Sequence, residues 1–396
     1  MSSRSKMTPL ELRASIGLSG IFGLRLLGMF VILPVFAIYA EQLPGGNDLM
    51  LVGLAIGAYG LTQALLQIPF GWWSDRYGRK PVIYIGLVIF AVGSFVAALA
   101  PNIYIVILGR MLQGAGAISA AVIAMTADLT REDQRAKAMA MIGSTIGVAF
   151  ALSLVVSPWL DRIIGVPGIF ALTGVLALGA ILVMWRAIPD APQVPPVPGR
   201  ALKDFWHVLM DPQLARLNWG IFALHAVLMA LFIVVPFGLR DAGLPVSSHW
   251  QVYLPVMLGS FVLMMPSVLQ AGNPVLLRRW FIVSIAVLLV AHLALPWLDG
   301  SIWLLSLFLL AFFAPFNALE AMLPTLATRL APAHAKGTAI GLYSTIQFFG
   351  TFLGAAAGGI LYKNWGAVGV IVFDAVLLAI WLILAFGMRV PPVKNA

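Results

Sequence analysis

Apolar residues run in long blocks along this chain, broken by short clusters of Gly, Pro, Asn and charged residues. About 20 apolar residues in a row make a helix long enough to cross a bilayer. Twelve blocks of that size can be counted, near 15–40, 49–73, 81–100, 102–128, 137–160, 166–188, 215–240, 249–270, 275–297, 301–328, 337–361 and 366–388. Between the sixth and seventh lies "IPDAPQVPPVPGRALKDFWHVLMDPQLAR". Its Pro-rich start excludes a helix, and its stretch Leu202–Met210 is short and amphipathic, which predicts a linker lying on the membrane surface. The expected architecture is an all-α membrane protein with twelve transmembrane helices in two pseudo-symmetric six-helix bundles. Residues 1–188 would form the first bundle, 189–214 the linker and 215–396 the second bundle.

Weak internal similarity points to duplication. The fifth block opens with Ala136-Lys137 and carries Gly143 and Gly147; the eleventh opens with Ala335-Lys336 and carries Gly341, Gly350, Gly354 and Gly358. Small residues four apart let helices approach closely, and that accounts for most of these glycines without any further role. Two six-helix halves on a loose linker are also the plan of a transporter that rocks one half against the other.

Composition moves the solvent from water to lipid. The 396 residues are 61% hydrophobic and 10% charged, with a mean hydropathy of +0.98, whereas about a quarter of an average soluble chain is charged. There is no cysteine, hence no disulfide and no thiolate metal site. The polar start "MSSRSKMTPLELRAS" lacks a small-residue cleavage site, so no removable signal peptide is expected. The net charge of +9 would suggest nucleic acid in a soluble protein, but here the basic residues sit in short loops. With a cytoplasmic N-terminus, 19 of the 24 Lys and Arg fall on the cytoplasmic side. Three (Arg162, Arg240, Lys363) fall on the opposite side and two (Arg25, Arg110) inside spans. That asymmetry predicts both termini in the cytoplasm.

One loop breaks the apolar pattern. "GWWSDRYGRKP", residues 71–81, puts Asp75, Arg76, Arg79 and Lys80 between spans 2 and 3. Topology alone explains Arg76 and Lys80, but not the spacing of Gly71, Asp75 and Gly78. The run G-x-x-x-D-R-x-G-R-K resembles the signature loop of the major facilitator superfamily, often called motif A. "GRMLQGAGA" in span 4 resembles that superfamily's R-x-x-Q-G motif, with Arg110, Gln113, Gly114 and Gly116 in place. An arginine inside lipid costs about 3 kcal/mol or more unless it faces a cavity or a partner. The stretches "GLRLLGMFVILPVFA", "GIFALHAVLMALF" and "LEAMLPTLATRLAP" look like the YajR-type branch of the drug-exporting members.

The resemblance implies that the 71–81 loop latches the two halves on the cytoplasmic side. Asp75 would face the positive N-terminus of span 11 near Lys336, and Arg79 would meet Asp128 at the end of span 4. Departures from the family pattern are visible too. The loop between spans 8 and 9, "LQAGNPVLLRRWF", lacks the Asp and Gly pattern, and "GVAFALSLVVSP" replaces the Gly-Pro-x-x-Gly-Gly run of the antiporter members. YajR-type members also carry a soluble domain after span 12, where this sequence reads "RVPPVKNA".

Arg25 in span 1, His225 in span 7 and Glu320 in span 10 each lie about ten residues from the cytoplasmic end of their span, or about 15 Å deep. The resemblance implies that spans 1, 4, 7 and 10 line a central cavity, so the three form a candidate proton or substrate site. The alternative is that each is satisfied separately by polar neighbours. Asp374 in span 12 reads as structural, within reach of the periplasmic surface, and His292 lies near a span end. Phe30, Phe36, Met229, Phe232 and Phe313 suit an apolar ligand but equally suit packing.

No phosphate-binding G-x-x-x-x-G-K-[ST] loop is present, and nothing resembles a Ser-His-Asp or metal-ligand arrangement. The expectation is therefore a non-enzymatic, cofactor-free secondary transporter in the inner membrane. It would act as a monomer on protons and a small-molecule substrate, most simply as a proton-coupled exporter of amphipathic molecules. The alternatives are a sugar or metabolite symporter, although the sugar branch's Pro-Glu-Ser-Pro-Arg is absent, and a non-transporting receptor or scramblase.

Overall fold

The computed structural model describes residues 6–191, 200–295, 300–332 and 335–390. The first residues of the N-terminal tail, the Pro-rich part of the linker and the C-terminal tail, which entered the expectations above, lie outside them.

Among the described residues, ten apolar helices are long enough to cross a membrane. Two are too long to be single crossings. Glu132–Ala187 has 56 residues and at 1.5 Å per residue would run about 84 Å, against a hydrocarbon core of about 30 Å. It breaks at Gly165, with φ 66° and ψ 169°, a backbone conformation that only glycine enters freely. Lys336–Phe386 breaks in the same way at Gly366, with φ 62° and ψ −158°. Each becomes two antiparallel crossings, and the number of spans is twelve. The spans are Pro9–Ala40, Leu49–Tyr77, Arg79–Ala98, Ile103–Asp128, the two limbs of Glu132–Ala187, Pro212–Asp241, Val246–Leu269, Pro274–Ala294, Ile302–Leu330 and the two limbs of Lys336–Phe386.

Local sequence sets many of the starts. Thr8 caps span 1 through a reciprocal pair with Glu11, and Asp48, Asn102, Asn273 and Ser301 cap spans 2, 4, 9 and 10. Asp211 caps span 7, which begins at Pro212 rather than near residue 215. Leu65, Trp159, Val262, Leu307, Val368 and Ile383 are exposed, as helices solvated by lipid allow.

The spans pack as two six-helix bundles. In the first, span 1 packs on the spans 5–6 helix, span 2 on span 4, and span 3 on spans 4 and 5–6. In the second, span 7 packs on the spans 11–12 helix and span 8 on span 10, with span 9 between span 10 and spans 11–12. The linker helix Arg200–Met210 buries Val208 against Leu214, Ala331, Ala335, Ala339 and Leu342 of the second bundle. Its Trp206 and Met210 remain exposed.

The bundles meet along spans 2 and 11. A Cβ added to Gly53 would lie 2.3 Å from the Ala355 carbonyl, and one added to Gly60 would lie 2.7 Å from that of Phe348. All such contacts fall in the half of span 2 remote from the 71–81 loop. Toward the loop the bundles part: Gly143 and Gly147 of span 5 and Gly337 and Gly341 of span 11 have nothing within 4 Å that a Cβ would touch. The molecule therefore has a parted loop end and a closed far end, the latter carrying Glu41, Asp48, Arg240 and Lys363.

Candidate functional site

The 71–81 loop is tied together within the first bundle. Gly78 turns the chain between spans 2 and 3 with φ 95°. Arg79 then points back: its Nε donates to Asp128 at 3.0 Å and its Nη1 to Ser74 at 2.8 Å, and it also pairs with Asp75. Lys80 pairs with Asp190 at 3.0 Å, and the Arg76 guanidinium lies over the Trp72 and Tyr77 rings. Gly71 is the least constrained member, with only the Ala120 methyl at 3.4 Å from an added Cβ. Among the described residues Asp75 pairs with Arg79, whereas the resemblance implied the start of span 11 near Lys336.

The R-x-x-Q-G residues serve both packing and polarity. A Cβ on Gly114 would lie 2.1 Å from the Tyr59 carbonyl, and one on Gly116 would lie 2.2 Å from that of Gly86, so these glycines let span 4 touch spans 2 and 3. Arg110 is fully buried. It donates to Gln113 Oε1 at 2.8 Å, and Gln113 donates on to Ser94 Oγ at 2.8 Å. Its charge rests over the Tyr59 ring, 5.0 Å from the centroid.

Arg25 belongs to the same network. It is 3% exposed, donates to the Tyr59 hydroxyl at 3.0 Å and to Gln63 Oε1, and Gln63 in turn donates to Gln67 at 2.6 Å. All these partners lie in the first bundle and are neutral. Arg25 therefore does not join His225 and Glu320.

Those two do meet. His225 Nε2 lies 3.9 Å from Glu320 Oε2 and 2.8 Å from Gln347 Nε2 of span 11. The His225 Nδ1 lies 3.3 Å from the Ile221 carbonyl, one turn back on its own helix. The Glu320 side chain keeps 17% exposure, and its Oε2 has no hydrogen-bond partner. Aromatic contacts close the space between the bundles nearby. Phe150 of span 5 packs on Phe313 and Phe316 of span 10, each at 5.7 Å, and Tyr59 lies 6.4 Å from Phe348. Phe30 touches Phe150, Phe36 touches Phe170, and Met229 and Phe232 are buried, so these residues pack rather than line an opening.

Asp374 and His292, read separately in the sequence, form a buried pair. Asp374 is 1% exposed. Its Oδ2 lies 3.6 Å from Nε2 of His292, itself fully buried beside Phe308 and Phe312. Spans 9 and 12 are separated by about 80 residues of chain, so only packing could reveal the pair. Also invisible in the sequence were the ion pairs of the far end, Arg240–Glu41 and Lys363–Asp48, both at 2.8 Å. Among the described residues no cluster of three or more metal-ligating side chains occurs.

With this geometry in hand, known proteins give the lineage. The profile described as "Major Facilitator Superfamily" matches residues 18–355, and again 276–396. The chain is 43% identical over 390 residues to the "Inner membrane transport protein YajR" of Escherichia coli K12, covering 98% of this chain and 86% of that one. Over 217 residues, 54% of this chain and 52% of the other, it is 28% identical to the "Quinolone resistance protein NorA" of Staphylococcus aureus MRSA252. Its fold is similar to that of a bacterial homologue of the human lysosomal transporter Spinster in an inward-facing, occupied conformation. The TM-score is 0.76 at 16% identity, with 96% of this chain and 97% of that one covered. Twelve spans in two bundles, the 71–81 loop tied through Arg79 to Asp128 and the profile match along nearly the whole chain lead to one conclusion: this chain belongs to the Major Facilitator Superfamily.

Proposed function

We propose that this multi-pass membrane transporter is a proton-coupled exporter of small amphipathic molecules in the inner membrane. Residues 1–188 and 215–396 would rock about a central site, with both termini and the 71–81 loop in the cytoplasm. In that orientation the conformation described is open toward the cytoplasm. The observation that carries the reading is the His225–Glu320 pair, 3.9 Å apart, with the Glu320 side chain still 17% exposed beside the aromatic contacts between the bundles.

A carboxyl in such a place needs either a proton or a partner, because an unpaired charge out of water is costly. When the halves rock, the distance from Glu320 to the first bundle's buried cations, Arg25 and Arg110, changes. Exchanging a proton for a cationic partner is the coupling this arrangement supports, with His225 as relay. The loop of Asp75, Arg79 and Asp128 acts as the cytoplasmic latch: it stays assembled within the first bundle here and meets span 11 only when that side closes. The identity to the inner membrane transport protein YajR supports the inner-membrane placement, and the more distant, partial likeness to the quinolone resistance protein NorA supports export over uptake.

Substrate flux into vesicles across an imposed pH step tests this. Glu320→Gln is expected to retain substrate binding and lose the pH dependence of transport. Wild-type pH dependence in that variant removes Glu320 as the proton carrier.

A further inference from the structure

Three basic residues stand against the charge asymmetry of this chain, and two of them are spoken for. Arg240 closes span 7, and its Nη1 donates to Glu41 at the end of span 1, 2.8 Å away. Lys363, at the turn between spans 11 and 12, donates to Asp48 Oδ2 at 2.8 Å. Both pairs join one bundle to the other.

The arginine is held ready for this. Its guanidinium sits over the Phe237 ring, 5.0 Å from the centroid, and its Nε is 3.3 Å from Asp241. Phe237 is itself stacked on Tyr362. Asp48 is fixed from the other direction, because its Oδ1 accepts the Met50 amide as the cap of span 2. The two clamps bracket the close approach of Gly53 and Gly359, where a Cβ on Gly359 would lie 2.3 Å from the Leu49 carbonyl. At the loop end, by contrast, Arg79 and Lys80 are paired on their own side of the cleft.

We infer that Arg240 and Lys363 are positioning residues of the transport cycle. Through Glu41 and Asp48 they clamp the far end shut, and releasing both is part of opening that side. The placement explains why basic residues occupy these two sites although basic residues otherwise concentrate on the other face. The inference rests on the rocking of two bundles, and on neither the proton nor the substrate assignment.

The absence of cysteine makes the test direct. Spin labels are placed at Leu99→Cys and Trp303→Cys, 83% and 85% exposed at the far end of the two bundles and outside both ion pairs. The distance distribution is then measured in detergent without substrate. Exposed pairs of this kind are individually weak, so removing both in Arg240→Ala/Lys363→Ala should raise the long-distance population roughly two- to thirty-fold. Arg240→Glu alone should open the end further, through repulsion from Glu41, and Glu41→Arg/Arg240→Glu should restore closure. Unchanged distances in the double variant overturn the clamp, and so does a charge swap that fails to restore them. Gly359→Val serves as reference: if even this wedge leaves the distances unchanged, the two-bundle rocking is at fault rather than the clamp.

Discussion

The two ends of this molecule use charge in opposite ways. At the loop end Arg79 gathers Ser74, Asp75 and Asp128, and Lys80 takes Asp190, all on one side of the cleft. At the far end Arg240 and Lys363 reach across to Glu41 and Asp48. The side chains are of the same kinds and the distances similar. What differs is whether the partner would move with the residue in the proposed rocking of the halves. An ion pair within one rigid body adds to that body's stability and leaves the balance of states alone. A pair across the gap contributes only to the state in which it is formed, since an interaction equal in two states shifts neither.

The strongest perturbation of the far end is steric. Gly53→Val or Gly359→Val puts side-chain atoms where a carbonyl of the opposite bundle lies within 2.3 Å. Overpacking of this sort costs typically about 1–3 kcal/mol, and here all of that cost falls on the closed far end. Far-end distances should lengthen about tenfold or more in population, and flux should fall with them. A far end that stays closed in both variants would count against the rocking of the two bundles.

A smaller effect is expected at the loop. In Asp75→Asn and Arg79→Ala the proposed latch loses the contact it would make with span 11 when the loop end closes, so the resting population should move toward the conformation seen here. Loss of a helix-dipole contact of about 1 kcal/mol corresponds to a several-fold shift. Labels at Glu132→Cys and Leu269→Cys, both exposed at the loop ends of spans 5 and 8, would report it. An unchanged distribution in both variants counts against the latch.

The smallest effect concerns pH. The hydrogen bond from Lys363 holds the Asp48 carboxyl below its ordinary value of 3.8 while the far end is closed. A carboxyl lowered in one state favours that state above the ordinary value, and the favour is lost as pH falls through the lowered one. The Asp48–Lys363 clamp should therefore be fully engaged from pH 5 to 8. Far-end distances in a Glu320→Gln background should not change across that range, but should respond to salt, which screens exposed pairs. A pH response near neutrality in that background would assign a second titrating group to this end.

Much of this architecture was legible before any packing was known. The twelve apolar blocks and the breaks near residues 165 and 366 follow from a bilayer's thickness and from the backbone freedom of glycine. The 71–81 loop was legible because six specified residues at fixed spacing survive as a pattern. The candidate site was legible only in part. Arg25, His225 and Glu320 stood out as charges in lipid, and equal depth suggested that they converge. Depth along a helix says nothing of rotation about it, however, and Arg25 turns to Tyr59 and Gln63 in its own bundle while His225 and Glu320 meet. The same blindness to rotation hid the pairing of His292, which does lie in the last turn of its span, with Asp374, and gave Asp374 a route to the surface that it does not take.

What this chain determined by itself is therefore everything that depends on one helix at a time: number of spans, their lengths, their caps and the side on which basic residues accumulate. Lipid imposes those directly, since each backbone polar group must find its partner within its own helix. Tertiary structure alone decided which charges face each other, and whether a pair lies inside one bundle or across two. Glu41 and Arg240 are about 200 residues apart in the chain, yet 2.8 Å apart at the closed end. The forces that bring them together act between helices, through the close glycine contacts of spans 2 and 11, and no single span carries that information.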